Sequence, residues 1–407
     1  MYKKKSKFLA LVASGSGGHI IPALTLGKKW KKENPNGSII FFVNTVKQLD
    51  LKIIEQSDQI DQKFFIELIN SPGKNLFLYP KFISQFFISF IKSLFVFYKH
   101  RPEEVISTGS HTAIPVCLAA SILKVPINLY ELNFIPGKTI KGLTPLAKNI
   151  FLVFPKSTKF FGHYKNKCMS TKYPIKFTES DLKFDKEKII EKINSLIPFD
   201  ALTTFACSRR TAPRPISYDF AEASPHMLSS RPIRLTAIAS EATTGSKGLD
   251  RNKNFSINKK TLFILGGSQG SIFINNLIKK WLKKNKGLLN IQIIHQTGNS
   301  DPTDWQEFYS KQNISVYHFE YSNNIKEFYQ IADLVISRTG AGTLFELEFF
   351  KRKAIIIPLE TNNSSHQLQN ALEMSIKNPA LFITIRQKEI TDSIEIQNYL
   401  DEPCVKS

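Results

Sequence analysis

The chain has 407 residues, 42% of them hydrophobic, with 55 Lys plus Arg against 34 Asp plus Glu and a net charge of +21. That length suits two domains with a core each, and so much apolar side chain excludes disorder, collagen-like and small disulfide-stapled classes. Positive charge favours an anionic partner, a membrane face or a phosphorylated substrate, although lysines scattered over solvated helix faces give the same balance; no RNA-binding signature or zinc-finger spacing is present, and no nucleic-acid partner is expected.

In chain order, Lys3-Lys4-Lys5-Ser6-Lys7 precedes the apolar run Phe8 to Ala13 and imitates the opening of a signal peptide. The run has six residues, short of the roughly 7–15 that a signal core needs, so a buried first strand is expected. Ser14-Gly15-Ser16-Gly17-Gly18-His19 then leads into a helical pattern from Ile21 to Lys32. Glycines at that junction let backbone amides approach a phosphate or sugar oxygen at the positive end of a helix. A dinucleotide fingerprint is not met. Ile20 stands where GxGxxG needs glycine, and the second strand, Ser38–Val43, runs into Asn44 and Thr45 without the acid that would bind a ribose. His19 falls inside the helix field, which favours the neutral imidazole that a general base requires.

Asn75 to Tyr98 is the most apolar stretch and is long enough to span a bilayer. Pro80, Lys81, Gln85 and Lys92 interrupt it, and Ser84, Gln85, Ser89, Lys92 and Ser93 gather on one side. An amphipathic helix is expected, its phenylalanines (82, 86, 87, 90, 95 and 97) facing either the core or a membrane interface. Further strands are expected at Val105–Ser107, Ile127–Tyr130 and Ile150–Phe154, with a helix over Ile114–Leu123. From Ala201 to Arg251 the composition changes: six of the chain's ten arginines, a single lysine (Lys247), no asparagine and four prolines. No period of 2 or 3.6 is sustained, so about 200–252 reads as an inserted loop without catalytic residues. Cys117, Cys168, Cys207 and Cys404 form no CxxC or Cys/His cluster, so neither a zinc site nor a disulfide framework is expected and a reduced compartment is the default.

The theme then restarts with a strand at Thr261–Leu265, the turn Gly266-Gly267-Ser268-Gln269-Gly270 and a helix over Phe273–Lys283. Its amides and the Ser268 hydroxyl suit a diphosphate. Strands follow at Ile291–His295, Ser315–Phe319, Leu334–Ile336 and Ala354–Pro358. Ser337 to Glu346 again joins a strand to a helix. Glu346 there either accepts both hydroxyls of a ribose or stabilises the helix dipole. Two βα series, each opening on a glycine turn, imply two doubly wound parallel sheets with ligands in the cleft at the strand C-termini.

Together these residues resemble the GT-B glycosyltransferases, most closely the MurG family, over about 8–176 and 258–375. Gly15 to His19 with Pro22 resembles the first glycine loop of that family, and Gly109-Ser110-His111 through Pro115 its second. Tyr130-Glu131-Leu132-Asn133 is similar to its His-Glu-Gln-Asn segment, and His295-Gln296-Thr297-Gly298 to its His-Gln-Ser-Gly. Gly266 to Gly270 matches residue for residue, and Arg338 to Glu346, then His366-Gln367 with Asn370-Ala371, resemble its donor-binding helices. The resemblance implies an α/β GT-B fold, with an acceptor- and membrane-associated domain over 1–172 and a UDP-GlcNAc-binding domain over 173–407.

It also implies inverting transfer of GlcNAc from UDP-GlcNAc to the MurNAc 4-hydroxyl of an undecaprenyl-linked muramyl-pentapeptide acceptor. The enzyme would sit on the cytoplasmic face of the bacterial inner membrane, holding its anionic surface through about 75–98. No Asp-x-Asp is present, so no metal is expected, and the resemblance implies no cofactor. By the same resemblance, His19 is the candidate base, with Glu131 and His111 beside it on the acceptor side. Ser16, Gly17 and Gly18 would lie near the two diphosphates, Lys176, Ser268 and Gln269 at the donor phosphates, and Asn133, Gln367 and Asn370 at the GlcNAc. Ala341, Gly342, Thr343, Leu344, Phe345 and Glu346 would hold the uridine. Lys176 replaces the family's arginine, keeping the charge and losing the bidentate fork. His111 replaces a tyrosine, and Tyr130 and Leu132 replace His and Gln. The chain runs 37 residues past Asn370, so a short final helix is expected. A non-catalytic UDP-sugar-binding relative, or a GT-B enzyme with another glycolipid acceptor, are the alternatives.

Overall fold

In the computed structural model, Phe8–Val12 is a central strand because its side chains are apolar on both faces: Leu9 and Leu11 enter one core, Ala10 and Val12 the other. The structure describes residues 7–46, 48–55, 57–197, 254–267, 270–285, 290–312, 314–322, 325–361, 365–390 and 396–401. The expected insert at 200–252, Cys207 and Cys404 lie outside them.

The first half runs β1 (Phe8–Val12), α1 (Gly17–Glu33), β2 (Ser38–Asn44), α2 (Gln48–Glu55), β3 (Gln62–Ile66) and α3 (Tyr79–His100). It continues through β4 (Glu104–Ser107), α4 (Ala113–Ile122), β5 (Ile127–Glu131), α5 (Lys138–Leu143), β6 (Asn149–Leu152) and β7 (Cys168–Ser170). The strands form one parallel sheet in the order β3-β2-β1-β4-β5-β6-β7.

After α6 (Lys186–Leu196), the second half comprises β8 (Lys260–Leu265), α7 (Ile272–Lys284), β9 (Ile291–Gln296), α8 (Trp305–Ser310), β10 (Ser315–Phe319) and α9 (Lys326–Ile331). It ends with β11 (Leu334–Ser337), α10 (Ala341–Phe349), β12 (Ala354–Ile356), α11 (Ser365–Lys377), β13 (Phe382–Thr384) and α12 (Ile396–Asp401). Its parallel sheet has the order β10-β9-β8-β11-β12-β13. The six-residue α12 packs Ile396 and Leu400 into this half's own core. Both expected doubly wound parallel sheets are therefore present. β3, β7 and β13 are additions: short strands with half-exposed residues, lacking the continuous apolar run that marks a central strand.

The halves meet through side chains as well as chain. Leu132, Phe134, Val153 and Phe154 join a core cluster built mainly from the second half. Phe154 packs 5.4 Å from Phe345, and Lys156 pairs with Glu373 at 2.9 Å.

The aromatic helix α3 settles which way its two faces point. Gln85, Ser89, Ser93, Val96 and Phe97 are buried, whereas Phe87, Ile88, Ile91, Phe95 and Tyr98 are each more than half exposed. The serines can be buried because each satisfies its hydroxyl locally, Ser89 on the Gln85 carbonyl at 2.6 Å and Ser93 on the Ser89 carbonyl at 2.7 Å. Gln85 bonds Ile69 and Glu67. Gln85, Ser89 and Ser93 of the polar side pack on the domain while Ser84 and Lys92 are exposed, and much of the apolar side is outermost. Leu76–His100 is long and apolar enough to cross a membrane by length and composition, yet one face of it is docked on the protein.

Candidate active site

β1 and β8 each lie where crossovers leave the sheet in opposite directions, the arrangement that opens a crevice at strand C-termini. Residues following both strands line a single cavity of about 600 Å³.

On the first side, α1 starts at Gly17 and not at Ile21, so Gly17, Gly18 and His19 form its first turn. Gly15 holds φ +100°, open to glycine and little else. Its N–H donates to the buried Asp50 carboxylate at 2.7 Å, which withdraws that amide from any ligand. Ser14 ties this loop to the second one, with its hydroxyl 2.5 Å from Ser110 Oγ and 2.7 Å from Thr112 Oγ1. His19 is fixed twice. Its Nδ1 lies 2.7 Å from the Thr108 carbonyl, and the Thr108 hydroxyl donates to the His19 carbonyl at 2.9 Å. A carbonyl only accepts, so Nδ1 carries a proton, and in the neutral ring the lone pair is on Nε2. The ring lines the cavity. His366, early in α11, lines it too, and its pKa is lowered by burial and then by the neighbouring His19.

On the second side, a Cβ on Gly270 would stand 2.6 Å from both Gly298 Cα and the Thr297 carbonyl, and φ there is +77°. Only glycine lets the turn lie that close to the next βα loop. Fully buried His295 braces this packing: Tyr309 OH lies 2.8 Å from Nδ1 and Asn275 Oδ1 3.0 Å from Nε2. Asn275 in turn donates to the Thr297 carbonyl at 2.9 Å, and Gln296 to Gly267 O at 3.1 Å. Burial pushes the His295 pKa down to about 3, so it works as a neutral ring that both donates and accepts.

At the far end, Tyr329 OH donates to Glu346 Oε2 at 2.9 Å. Burial raises the Glu346 pKa, opposed by Lys176 and by that hydroxyl. Tyr173 stacks on Phe345 at 4.8 Å and closes on Gly342.

Among the expected residues, Ser16, Gly17, Gly18, His19, Asn133, Lys176, Ala341, Gly342, Thr343, Glu346 and Gln367 line this one cavity. Ser268 and Gln269 lie outside the described residues. Five others do not line it. Glu131 is buried beneath its turn, accepting the N–H groups of Asn133 and Gly137 at 2.8 Å each, and burial pushes its pKa up to about 7 against those bonds. His111 turns Nε2 to the Leu68 carbonyl at 3.2 Å. Leu344 is core, and Phe345 is sandwiched between Tyr173 and Phe154. Fully buried Asn370 accepts the Phe134 N–H at 2.8 Å and donates to Asn133 Oδ1 at 3.0 Å, so it touches the cavity wall only through Asn133. Sequence reasoning passed over Arg338, His366, Tyr321 and Phe273, which do line the cavity. The first two stood inside family-like motifs without a role; the tyrosine and phenylalanine carried no local signal. Among the described residues, no group of three or more His, Cys, Asp or Glu could hold a metal ion.

Comparison with known proteins bears on this cleft. The profile of the glycosyltransferase family 28 N-terminal domain matches residues 9–152, and that of the family 28 C-terminal domain matches residues 261–403. A UDP-N-acetylglucosamine–N-acetylmuramyl-(pentapeptide) pyrophosphoryl-undecaprenol N-acetylglucosamine transferase of Rickettsia prowazekii is 30% identical over 90% of this chain and 83% of its own length. The protein of the same name from Pelagibacter ubique is 28% identical over 90% and 81%. Among solved structures, MurG of Acinetobacter baumannii superposes with a TM-score of 0.59 at 18% identity, covering 97% of this chain and 89% of its own. A UDP-GlcNAc 2-epimerase from Methanocaldococcus jannaschii gives 0.56 at 12% identity, covering 99% and 93%.

Proposed function

The chain belongs to glycosyltransferase family 28, in its MurG group, and from that membership and the shared cleft we propose how it works. It transfers GlcNAc from UDP-GlcNAc to a lipid-linked muramyl pentapeptide, the step from lipid I to lipid II of peptidoglycan synthesis. One observation carries the mechanism: glycine turns from both halves, together with His19, line the same cavity.

The reaction is an in-line displacement. The MurNAc 4-hydroxyl attacks the anomeric carbon on the face opposite UDP, the bond from that carbon to the β-phosphate oxygen breaks, and its electron pair leaves with UDP. The configuration inverts. His19 Nε2 takes the hydroxyl proton, since its tautomer is held by the Thr108 carbonyl. Backbone amides of the glycine turns and the N-termini of α7 and α10 face the growing negative charge. Glu346 accepts from the ribose, while Asn133 and Gln367 hold the sugar. Anchoring follows from α3, whose exposed Phe87, Ile91 and Phe95 enter the acyl region of the cytoplasmic membrane leaflet, with Lys81 and Lys92 at its anionic surface.

Labelled UDP-GlcNAc and the lipid-linked acceptor, incubated with the protein, will give labelled lipid product. The rate will be unchanged in EDTA, because this chain's own dipoles and cations carry the leaving-group charge. Folded protein that binds UDP yet yields no product would leave a non-catalytic relative as the better reading.

A further inference from the structure

Among the described residues, four that are not glycine hold a positive φ: Arg101, Ser110, Lys124 and Lys351. An L side chain crowds its own backbone there, so each position needs a reason. Arg101 is the C-cap of α3, and Lys124 and Lys351 stand one residue beyond the C-caps of α4 and α10, where a left-handed residue commonly closes a helix. Ser110, at φ +84°, is the exception. It lies between the end of β4 and the start of α4, on the side of the sheet where the crevice opens, and no helix ends there.

Its side chain supplies the reason. Ser110 Oγ lies 2.5 Å from the hydroxyl of Ser14, the residue that opens the first glycine loop. Thr112 Oγ1 stands 2.7 Å from the same hydroxyl and accepts from Asn44 Nδ2 at 3.2 Å. At the other end of that loop, Thr108 holds His19 by its carbonyl and its hydroxyl. The Gly109 backbone flanks the imidazole, where an added Cβ would stand 3.4 Å from His19 Cε1. Residues 108–112 therefore grip the first loop at both ends. Glycine at 110 would relax the backbone and remove the bond to Ser14. A residue kept against its own preference is one that its surroundings over-determine, and such residues gather at functional sites. Ser110 is half-buried and does not line the cavity, so it acts through another group.

We propose that Ser110 is a positioning residue for the general base. By bonding Ser14 it fixes the spacing of the two loops, which keeps the Thr108 carbonyl on His19 Nδ1 and the ring in place at the cavity. This role rests on the reading of His19 as the base. The acceptor's proton still goes to His19; Ser110 exchanges none with the substrate.

The test measures turnover of labelled UDP-GlcNAc with the lipid-linked acceptor, and melting temperature, for Ser110→Gly, Ser110→Ala, His19→Ala and the double variant of His19→Ala with Ser110→Gly. Both Ser110 variants lose the hydroxyl, and only the alanine keeps the backbone strain. Ser110→Gly will melt above Ser110→Ala, yet each will lower kcat roughly tenfold or more, with the KM for UDP-GlcNAc and the affinity for UDP as in the wild type. In the His19→Ala background, Ser110→Gly will cost no further turnover, since nothing is left to position. Wild-type kcat in Ser110→Gly would overturn the proposal. So would a kcat that falls only in the less stable alanine variant, the mark of a residue that serves stability alone. A further loss in the double variant would overturn it too, because the hydroxyl would then act on something other than His19. Near-wild-type turnover in His19→Ala would instead refute the base itself. Should Ser110→Ala fail to fold, Ser110→Gly and the double variant decide the matter without it.

Discussion

His19 shows how a ring lining the cavity is held by groups far along the chain. One carbonyl, Thr108, decides which nitrogen bears the proton. Replacing His19 with alanine will lower turnover by roughly 10²-fold or more, as loss of a general base does, with UDP affinity unchanged; turnover near the wild-type rate would remove His19 from that role. His295 makes a different, structural prediction. Its pKa is about 3 in the folded chain against an ordinary 6.5, so the folded state resists its protonation. Its contribution is complete above pH 6.5 and is lost as pH falls from there toward 3. Between pH 7 and pH 5 the wild type will lose about 2 kcal/mol of unfolding free energy that His295→Gln does not lose, measured by urea titration at both values. Parallel curves for the two proteins would exclude it. The place of His19 at the cavity was legible in the sequence because a histidine ending a glycine loop after a strand opens the next helix at the crevice, although the Thr108 that fixes its ring lies 89 residues away. Glu131 and Asn370 were not, since whether a side chain meets a ligand or its own backbone depends on turns and partners far along the chain. Asn370 and Phe134 are 236 residues apart.

Helix α3 carries the same lesson one level up. Its two-sidedness can be read from the spacing of its serines and phenylalanines; the direction of each side cannot, because a serine that bonds its own helix carbonyl is as easily buried as exposed. Its phenylalanines divide, with Phe97 in the core and Phe87 and Phe95 outside. The double substitution Phe87→Glu with Phe95→Glu will weaken binding to anionic vesicles by roughly tenfold or more, since two aromatic anchors become charges. Its melting temperature will stay close to that of the wild type, because neither ring is buried in the domain. Unchanged vesicle sedimentation would refute α3 as the anchor. Edge strands β3, β7 and β13 escaped notice for a related reason. Half-exposed residues carry mixed composition, whereas the central strands advertise themselves by continuous burial.

The whole molecule is two βα series, and their recurrence, each opened by a glycine turn, was plain from the order of residues alone. Contacts between the series were not. Asn370 of the second half meets Phe134 and Asn133 of the first. Asn370→Ala leaves the Phe134 N–H without its acceptor, worth about 1–3 kcal/mol. It will raise the KM for UDP-GlcNAc while leaving the affinity for UDP as it was; a shift in both, or in neither, would show that this asparagine does not steer the sugar. The Asn133–Asn370 bond has one more outcome. If Asn133 grips the hexose as proposed, that wall is itself the seam, and prying the halves apart would dissolve the grip and spare the uridine clasp. A gaping enzyme would then hold spent and loaded nucleotide alike, and only the shut one could tell them apart.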